Sequence, residues 1–305
     1  MQGNASLSEQ IKLSAGGRLT RETKDGRFER TTIRPGSVTA IFAPFPEFTI
    51  KRKENNFDWN VSGQYYLDRR NVLYASASRG NKSGGFQTLP SNPALTEFEG
   101  ERALTLETGV KSQLFGRVGL DVALFSTTVK DFQYVINTPQ GNAVTNVKVR
   151  SRGVDAAVNW RPTRELRIDG GVVYADTRIL EAFAGAPAGS RPSRAPVWSG
   201  NASIMYKVGL SENLDLTVNP YVDFSSSQYN QLPSANAPKR QSYALVNARV
   251  AIGESNGNWE LALIGKNLTN QQIFYTSTTP LLAGGPWYGN ISTPATFALQ
   301  ITVKR

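Results

Sequence analysis

A two-residue alternation runs through this chain, over stretches too long for most soluble sheets. From Arg102 to Ser112, Leu104, Leu106, Thr108 and Val110 fall on one face, and Thr105, Glu107, Gly109 and Lys111 on the other. The pattern sets Leu120, Val122 and Leu124 against Asp121, Ala123 and Phe125, then Val154, Ala156, Val158 and Trp160 against Asp155, Ala157 and Asn159. It returns as Leu214, Leu216, Val218 and Val222 against Asp215, Thr217, Asn219 and Asp223, and as Phe297, Leu299, Ile301 and Val303 against Ala298, Gln300 and Thr302. Successive side chains of a strand point to opposite faces, so each run describes a strand with one greasy and one wet face. Runs of about 9–13 residues match the length that crosses a bilayer at a tilt. Sandwich strands are mostly about 5–6 residues. Charges at mid-strand on the wet face (Glu107, Lys111, Asp155, Asp169, Asp215) are expensive in a dry core and cheap in a water-filled lumen. The expected fold is therefore all-β: an antiparallel meander of about twelve long strands in a transmembrane β-barrel.

The strands are expected near residues 10–23, 57–67, 72–79, 102–114, 117–130, 149–160, 165–176, 196–207, 213–224, 242–252, 258–265 and 295–304. Short connections alternate with long ones. The short ones are "DRRN" after Leu67, Phe115-Gly116, "RPTRE" after Trp160, "VGLSEN" after Lys207 and "GESNGN" after Ile252. The long ones span about 24–56, 80–101, 131–148, 177–195, 225–241 and 266–294. Tight turns on one rim and long loops on the other are the habit of outer-membrane barrels. Aromatics near strand ends (Tyr65-Tyr66, Phe132 with Tyr134, Trp160, Trp198, Trp259, Phe274-Tyr275) suit interfacial girdles. The Pro/Ala/Gly/Ser-rich run from Ala182 to Pro196 reads as a loop, and no linker divides the chain into domains.

Composition removes most other functions. Only 39% of the 305 residues are apolar, yet there are 14 Phe, 11 Tyr and 5 Trp. With no Cys and no His, thiolate and imidazole chemistry and ordinary zinc sites have no ligands or bases. No metal site, cofactor or catalytic residue is expected, and an enzyme is not the reading. Glu97, Glu99 and Glu101 form an acidic patch in a loop. The net charge of +10 is spread over loops and turns rather than gathered, and no nucleic-acid motif accompanies it. No apolar run reaches a transmembrane helix, and the N-terminus lacks the charged start and apolar stretch of a signal peptide.

The stretch "SRGNKSGGF" looks like a phosphate loop but is not one. Asn81 stands before Lys82 where a Walker loop needs Gly, and no helical pattern follows. It reads instead as a strand leaving the membrane, wet from Ser78 to Ser83.

Four ordered segments resemble one family, the TonB-dependent outer-membrane receptors: "NVLYASASRGNKSGGFQ", "ALTLETGVKSQLFGRVGLDVALFSTTVKDFQ", "TNVKVRSRGVDAAVNWRPTRELRIDGGVVYAD" and "WELALIGKNLTNQQIF". The resemblance runs from about Leu7 to the end of the chain. It implies a barrel of about 22 strands around an N-terminal plug. Residues 1–305 are then expected to be the C-terminal half or so of such a barrel, without plug, coupling box or signal peptide. Arg305 takes the place where the family usually ends on an aromatic, in phase with Phe297, Leu299 and Ile301. The resemblance further implies active import of a ferric siderophore or a similarly scarce, bulky nutrient across the outer membrane of a Gram-negative bacterium. Haem is disfavoured because this part offers no His to the iron. TonB would be reached only through the plug. A passive porin, self-contained in a small closed barrel, is the alternative; pairing of the first and last strands would distinguish it.

Ligand-binding residues are expected in the external loops. Basic Arg79, Lys82, Lys148, Arg150, Arg191, Arg194, Lys239 and Arg240 suit an anionic ligand. Phe86, Tyr229, Trp287 and Tyr288 suit stacking on it. The same cations also suit phosphates of outer-membrane lipid and lipopolysaccharide.

Overall fold

The computed structural model describes residues 1–33, 43–87, 96–138, 141–183, 186–230, 239–278 and 288–304. Thirteen strands form one antiparallel sheet in which each pairs with its neighbours in sequence. They are β1 (Gln2–Ser6), β2 (Ile11–Arg30), β3 (Phe45–Tyr66), β4 (Asn71–Lys82), β5 (Glu101–Leu114), β6 (Val118–Thr138) and β7 (Gly141–Trp160). There follow β8 (Leu166–Ile179), β9 (Trp198–Ser211), β10 (Leu214–Ser225), β11 (Tyr243–Glu254), β12 (Trp259–Lys266) and β13 (Thr296–Val303). Three two-stranded hairpins decorate the long loops: Gly85–Phe86 with Glu97–Phe98, Gln228–Tyr229 with Lys239–Arg240, and Phe274–Thr278 with Tyr288–Ile291.

All twelve expected strands form, and β1 adds a thirteenth that pairs with Lys12–Gly16. Two segments expected as loops are largely strand. β2 and β3 pair from Ile11↔Tyr65 up to Arg30↔Phe45, and β6 and β7 continue to Thr138↔Gly141. In the outer part of β2 and β3, from Arg21 to Asp25 and from Lys51 to Asn56, polar side chains fill both faces, so hydropathy carries no period there. Opposite charges and rings hold the pairing instead: Lys51 lies 3.3 Å from Asp25, Arg27 pairs with Glu47, and Phe28 stacks on Phe48 at 5.4 Å.

Register keeps the two faces separate across the whole sheet. Leu106 lies beside Ser126, and Val110 beside Val122, on the apolar face. Leu263 opposes Leu299, and Leu261 opposes Ile301, at the other end of the sheet on that face. These side chains are exposed, Leu106 at 53% and Leu299 at 68%, whereas Thr105 and Glu107 on the polar face are half-buried. A contiguous apolar surface of this extent needs lipid against it. Tyr65, Trp160, Tyr206 and Trp259 lie exposed near the short-turn ends, while Tyr174 packs on Trp198 at 4.8 Å near the long-loop ends. Phe132 and Tyr134 are not girdle residues, contrary to expectation: with Val147, Val149 and Ile179 they form the buried cluster beneath the loop after β8.

The polar face is cross-linked rather than merely wet. The Tyr74 hydroxyl donates to Glu107 at 2.8 Å, and Lys207 meets Asp215 at 2.9 Å. Asn159 donates to Asp169, which also pairs with Arg167 at 2.8 Å. Short turns close the opposite rim. In "DRRN", Asp68 accepts the Arg70 and Asn71 amides and the Asn71 side chain, which holds its carboxyl below the ordinary range. Phe115-Gly116 turns with both residues at positive φ (51° and 66°). Among the described residues β1 and β13 each have one neighbour, so the ring that a small closed barrel requires is not formed.

Facing decides the cost of a charge. Leu106→Arg, at mid-belt against lipid, is expected to destabilise the protein folded in phosphatidylcholine vesicles by about 2–4 kcal/mol. Ser76→Arg, on the polar face beside Glu107, is expected to cost less than about 1 kcal/mol. Urea titration followed by tryptophan fluorescence measures both, and equal costs would mean the faces are assigned wrongly.

Candidate functional site: the long-loop rim

The long connections gather at one rim, and the one after β4 is clamped over the polar face by a single guanidinium. Arg52 on β3, only 10% exposed, reaches Glu54 at 2.5 Å, Glu97 at 2.6 Å and Glu99 at 2.7 Å. Lys82 binds Glu101 at 3.0 Å. The acidic patch expected at Glu97, Glu99 and Glu101 is thus neutralised by two cations from neighbouring strands. Gln133 on β6 donates to the Ser83 and Glu99 carbonyls, and Asn146 on β7 receives the Glu99 amide. Gly84 passes beneath this clasp, where a Cβ would lie 2.5 Å from the Phe98 carbonyl and 2.6 Å from the Arg52 guanidinium. The glycines of "KSGGF" therefore permit a close backbone approach, not a phosphate cradle. Arg52 was invisible in sequence because it sits in the charged run "KRKE"; the signal available was an acidic loop lacking a counter-charge.

A second group forms between the loops after β8 and β10. Asp176 accepts from Arg178 at 2.8 Å and from Arg191 at 3.0 Å. One guanidinium nitrogen of Arg191 is buried without a partner. Lys239 lies 4.7 Å above the Tyr229 ring. A cavity of about 420 Å³ opens among Arg178, Arg191, Gln228, Tyr229 and Lys239. The loop is anchored by Ser193, bonded to the Tyr134 hydroxyl at 2.8 Å, and by the Arg194 amide, which donates to the Tyr229 carbonyl at 2.8 Å. Arg240, buried, donates to Ser225 at 2.5 Å and stacks on Tyr243, which makes it a strut of this loop.

The expected ligand residues therefore separate. Arg191, Arg194, Tyr229 and Lys239 come together. Phe86 packs edge-on against Phe28 at 5.9 Å in the clasp of the loop after β4. Lys82 is turned to Glu101, whereas Arg79 is exposed on the apolar face opposite Trp59. Arg150 and Lys148 share the face of Val154 and Trp160. Trp287 and Arg305 lie outside the described residues, and Tyr288 begins the strand Tyr288–Ile291.

With this geometry, residues 1–268 match the family described as "TonB dependent receptor-like, beta-barrel". The chain belongs to the TonB-dependent receptor β-barrel family. Its backbone superposes on the ferric yersiniabactin uptake receptor FyuA of Yersinia pestis with a TM-score of 0.82 at 16% identity, covering 98% of this chain and 44% of that one. The siderophore receptor PiuA of Acinetobacter baumannii gives 0.73 at 17%, covering 98% and 41%. The copper transporter OprC gives 0.74 at 13%, covering 97% and 47%. This chain of the TonB-dependent receptor family thus spans less than half the length of each, and at these identities the likeness is one of fold.

The clasp has a defined pH dependence. The bond from Arg52 holds the Glu99 carboxyl below its ordinary value of 4.5, so the ionised form is the clasped form. Its contribution is complete above the ordinary value and is lost as pH falls through the lowered one. Amide exchange at Gly84 and Glu99 is expected to accelerate over that acidic window. Arg52→Gln, which leaves the part-buried Glu54 unpaired, is expected to accelerate it at least tenfold at pH 7, equivalent to a local loss of about 1.4 kcal/mol or more. Unchanged exchange in the variant would show that Gln133 and Asn146 hold the loop alone.

Proposed function

We propose that this chain is the C-terminal part of the barrel of a receptor in the outer membrane of a Gram-negative bacterium. The receptor imports a ferric siderophore-like complex, or a similarly scarce and bulky nutrient. It acts as a transport receptor and not as an enzyme. The observation that carries the ligand class is the rim cavity, lined by Arg178, Arg191 and Lys239 with Tyr229 alongside, while the carboxylate beside it, Asp176, is bonded by Arg178 and Arg191. Such a site favours an anionic chelate: the cations supply long-range attraction and the ring a stacking surface. Relatives of similar fold are named for siderophores and for copper, which agrees with specificity residing in rim loops rather than in the shared sheet.

The half-buried, hydrogen-bonded polar face suits a water-filled interior against which a plug domain packs. Coupling to TonB would run through that plug, a part these residues do not form. Outer-membrane lipid and lipopolysaccharide are the partners of the apolar face and its margin; nucleic acid is not a partner.

The test is uptake by cells expressing the receptor that carries this chain. Arg191→Ser combined with Lys239→Ser is expected to lower uptake of an anionic ferric chelate about tenfold or more, and to leave a neutral chelate within about twofold, because two unit charges near a surface contribute on the order of 1 kcal/mol each or more. Tyr229→Ala is expected to weaken both. Equal uptake of the anionic chelate by the double variant and the unaltered receptor would overturn the cavity's role.

A further inference from the structure

A cavity larger than the rim site lies at the opposite, short-turn end of the polar face. It is an open basin that spans β3 to β9 and holds about 680 Å³, against about 420 Å³ at the rim. Parity places its walls inside: Lys111 and Gln113 continue the series of Thr105 and Glu107, and Asp169 opposes Asn159. Strand β8 runs from one cavity to the other, with Arg167 at the basin and Arg178 at the rim, eleven residues apart. At about 3.3 Å per residue and a tilt of about 40°, that separation is roughly 28 Å along the barrel axis, close to the ~30 Å thickness of the hydrocarbon core.

Small residues keep the floor of the basin open. Gly119, Ala157 and Gly171 lie on the neighbouring strands β6, β7 and β8. Neither glycine has positive φ. A Cβ at Gly171 would meet nothing nearer than 3.9 Å, and one at Gly119 nothing nearer than 3.4 Å. By contrast, a Cβ at Gly153 would lie 1.9 Å from the Tyr174 carbonyl, so packing imposes glycine there. At Gly119 and Gly171 no such constraint acts, and what the missing side chains leave is space.

The charge around that space is unbalanced. Arg167 is paired with Asp169 at 2.8 Å. Arg69, Arg70 and Lys111 also line the basin, are exposed, and form no ion pair with any described acidic residue. Asp68, beside Arg70, is engaged by the amides of its own turn. Lys111 stands 6.0 Å from the Tyr74 ring. Outside ion pairs the basin therefore holds three cations and one carboxylate, Asp121. The adjoining short turns add Arg117, Arg161 and Arg164, all exposed, whereas Glu212 and Glu254 stand at the turns after β9 and β11. The positive potential is thus local to the β3–β8 side of this mouth.

We propose that the basin is a second, exit-side binding site for an anionic metal chelate, occupied after the chelate has left the rim and the plug has yielded. Its volume falls within the roughly 300–1,000 Å³ of small-molecule sites. The guanidinium forks of Arg69 and Arg70 suit carboxylate or phenolate oxygens, and the Gln113 and Asn201 amides supply neutral donors. A cationic site at each end of the lumen lets an anionic cargo move between two wells instead of leaving one deep well for water. The inference rests on the reading of the chain as part of an importer of anionic chelates, and its site shares no residue with the rim cavity.

The test is equilibrium dialysis of the full chain, folded in detergent micelles, against two radioiron chelates: a trianionic ferric tris-catecholate and a neutral ferric tris-hydroxamate. Arg70→Gln combined with Lys111→Gln is expected to lose about half of the tris-catecholate bound at saturation, because one of two cationic sites is neutralised. Gly171→Met fills the floor without changing the charge and is expected to lose the same share, which gives a reading even where the neutral variant does not fold. Binding of the tris-hydroxamate is expected to be the same in the charge variant and the unaltered chain; its loss there would overturn the anionic class. Undiminished tris-catecholate binding by both basin variants would overturn the site, and is the result expected if the basin only seats the plug. Arg191→Ser combined with Lys239→Ser tests the rim separately. If that variant binds like the unaltered chain while the basin variants lose their share, the rim reading falls and the basin stands. No binding of the tris-catecholate by the unaltered chain would overturn both.

Discussion

The structure depends on its ladder of backbone hydrogen bonds between adjacent strands. In hydrocarbon no water is available to an unpaired N–H or C=O, so a chain that crosses as strands must satisfy these groups from strand to strand. An antiparallel meander with tight turns on one rim does this with the shortest connections, and β2 to β12 each have partners on both sides. Once the ladder is set, side-chain facing has no freedom. A one-residue slip would carry Leu104, Leu106 and Val110 to the wet side and Glu107 and Lys111 to the lipid side. Irregularities in the register occur near strand ends at Phe28/Arg30 and Gly209/Ser211, and within β6 at Val129/Phe132, beyond the middle of the belt.

Because facing is fixed, the role of a basic residue is set by parity as much as by its loop. Arg79 and Lys82 are three residues apart on β4, yet Arg79 stands by Trp59 on the outside and Lys82 binds Glu101 on the inside. Arg150 and Arg191 were equivalent in sequence as loop cations. The ladder puts the first over the lipid belt, and loop folding puts the second at a cavity. The rim loops, in turn, are held by specific partners: Arg52 closes one over the polar face, and Tyr134 with Ser193 anchors another above a small buried cluster.

The all-β class, the meander, the alternation of short and long connections and the two faces were legible in the sequence because each leaves a local trace: period-two hydropathy, turn residues such as "DRRN", and charges at mid-strand. The family was legible because four ordered segments carry its pattern. Strand ends were not legible where both faces are polar. From Thr20 to Arg30 and from Phe45 to Asn56 the partner strand, and not hydropathy, maintains the extended chain.

What the sequence determined alone was therefore the local periodicity and its consequence, a sheet with one lipid face and one wet face. What only the tertiary structure decided was which distant charges meet. Arg52 finds Glu97 and Glu99, and Arg150 stands against Arg178. Those encounters depend on strand register and loop path, which join residues tens of positions apart and leave no period in the chain. The same physical reason explains why the phosphate-loop likeness of "RGNKSGG" dissolved. Its glycines serve an approach to Phe98 and Arg52 that no local pattern encodes.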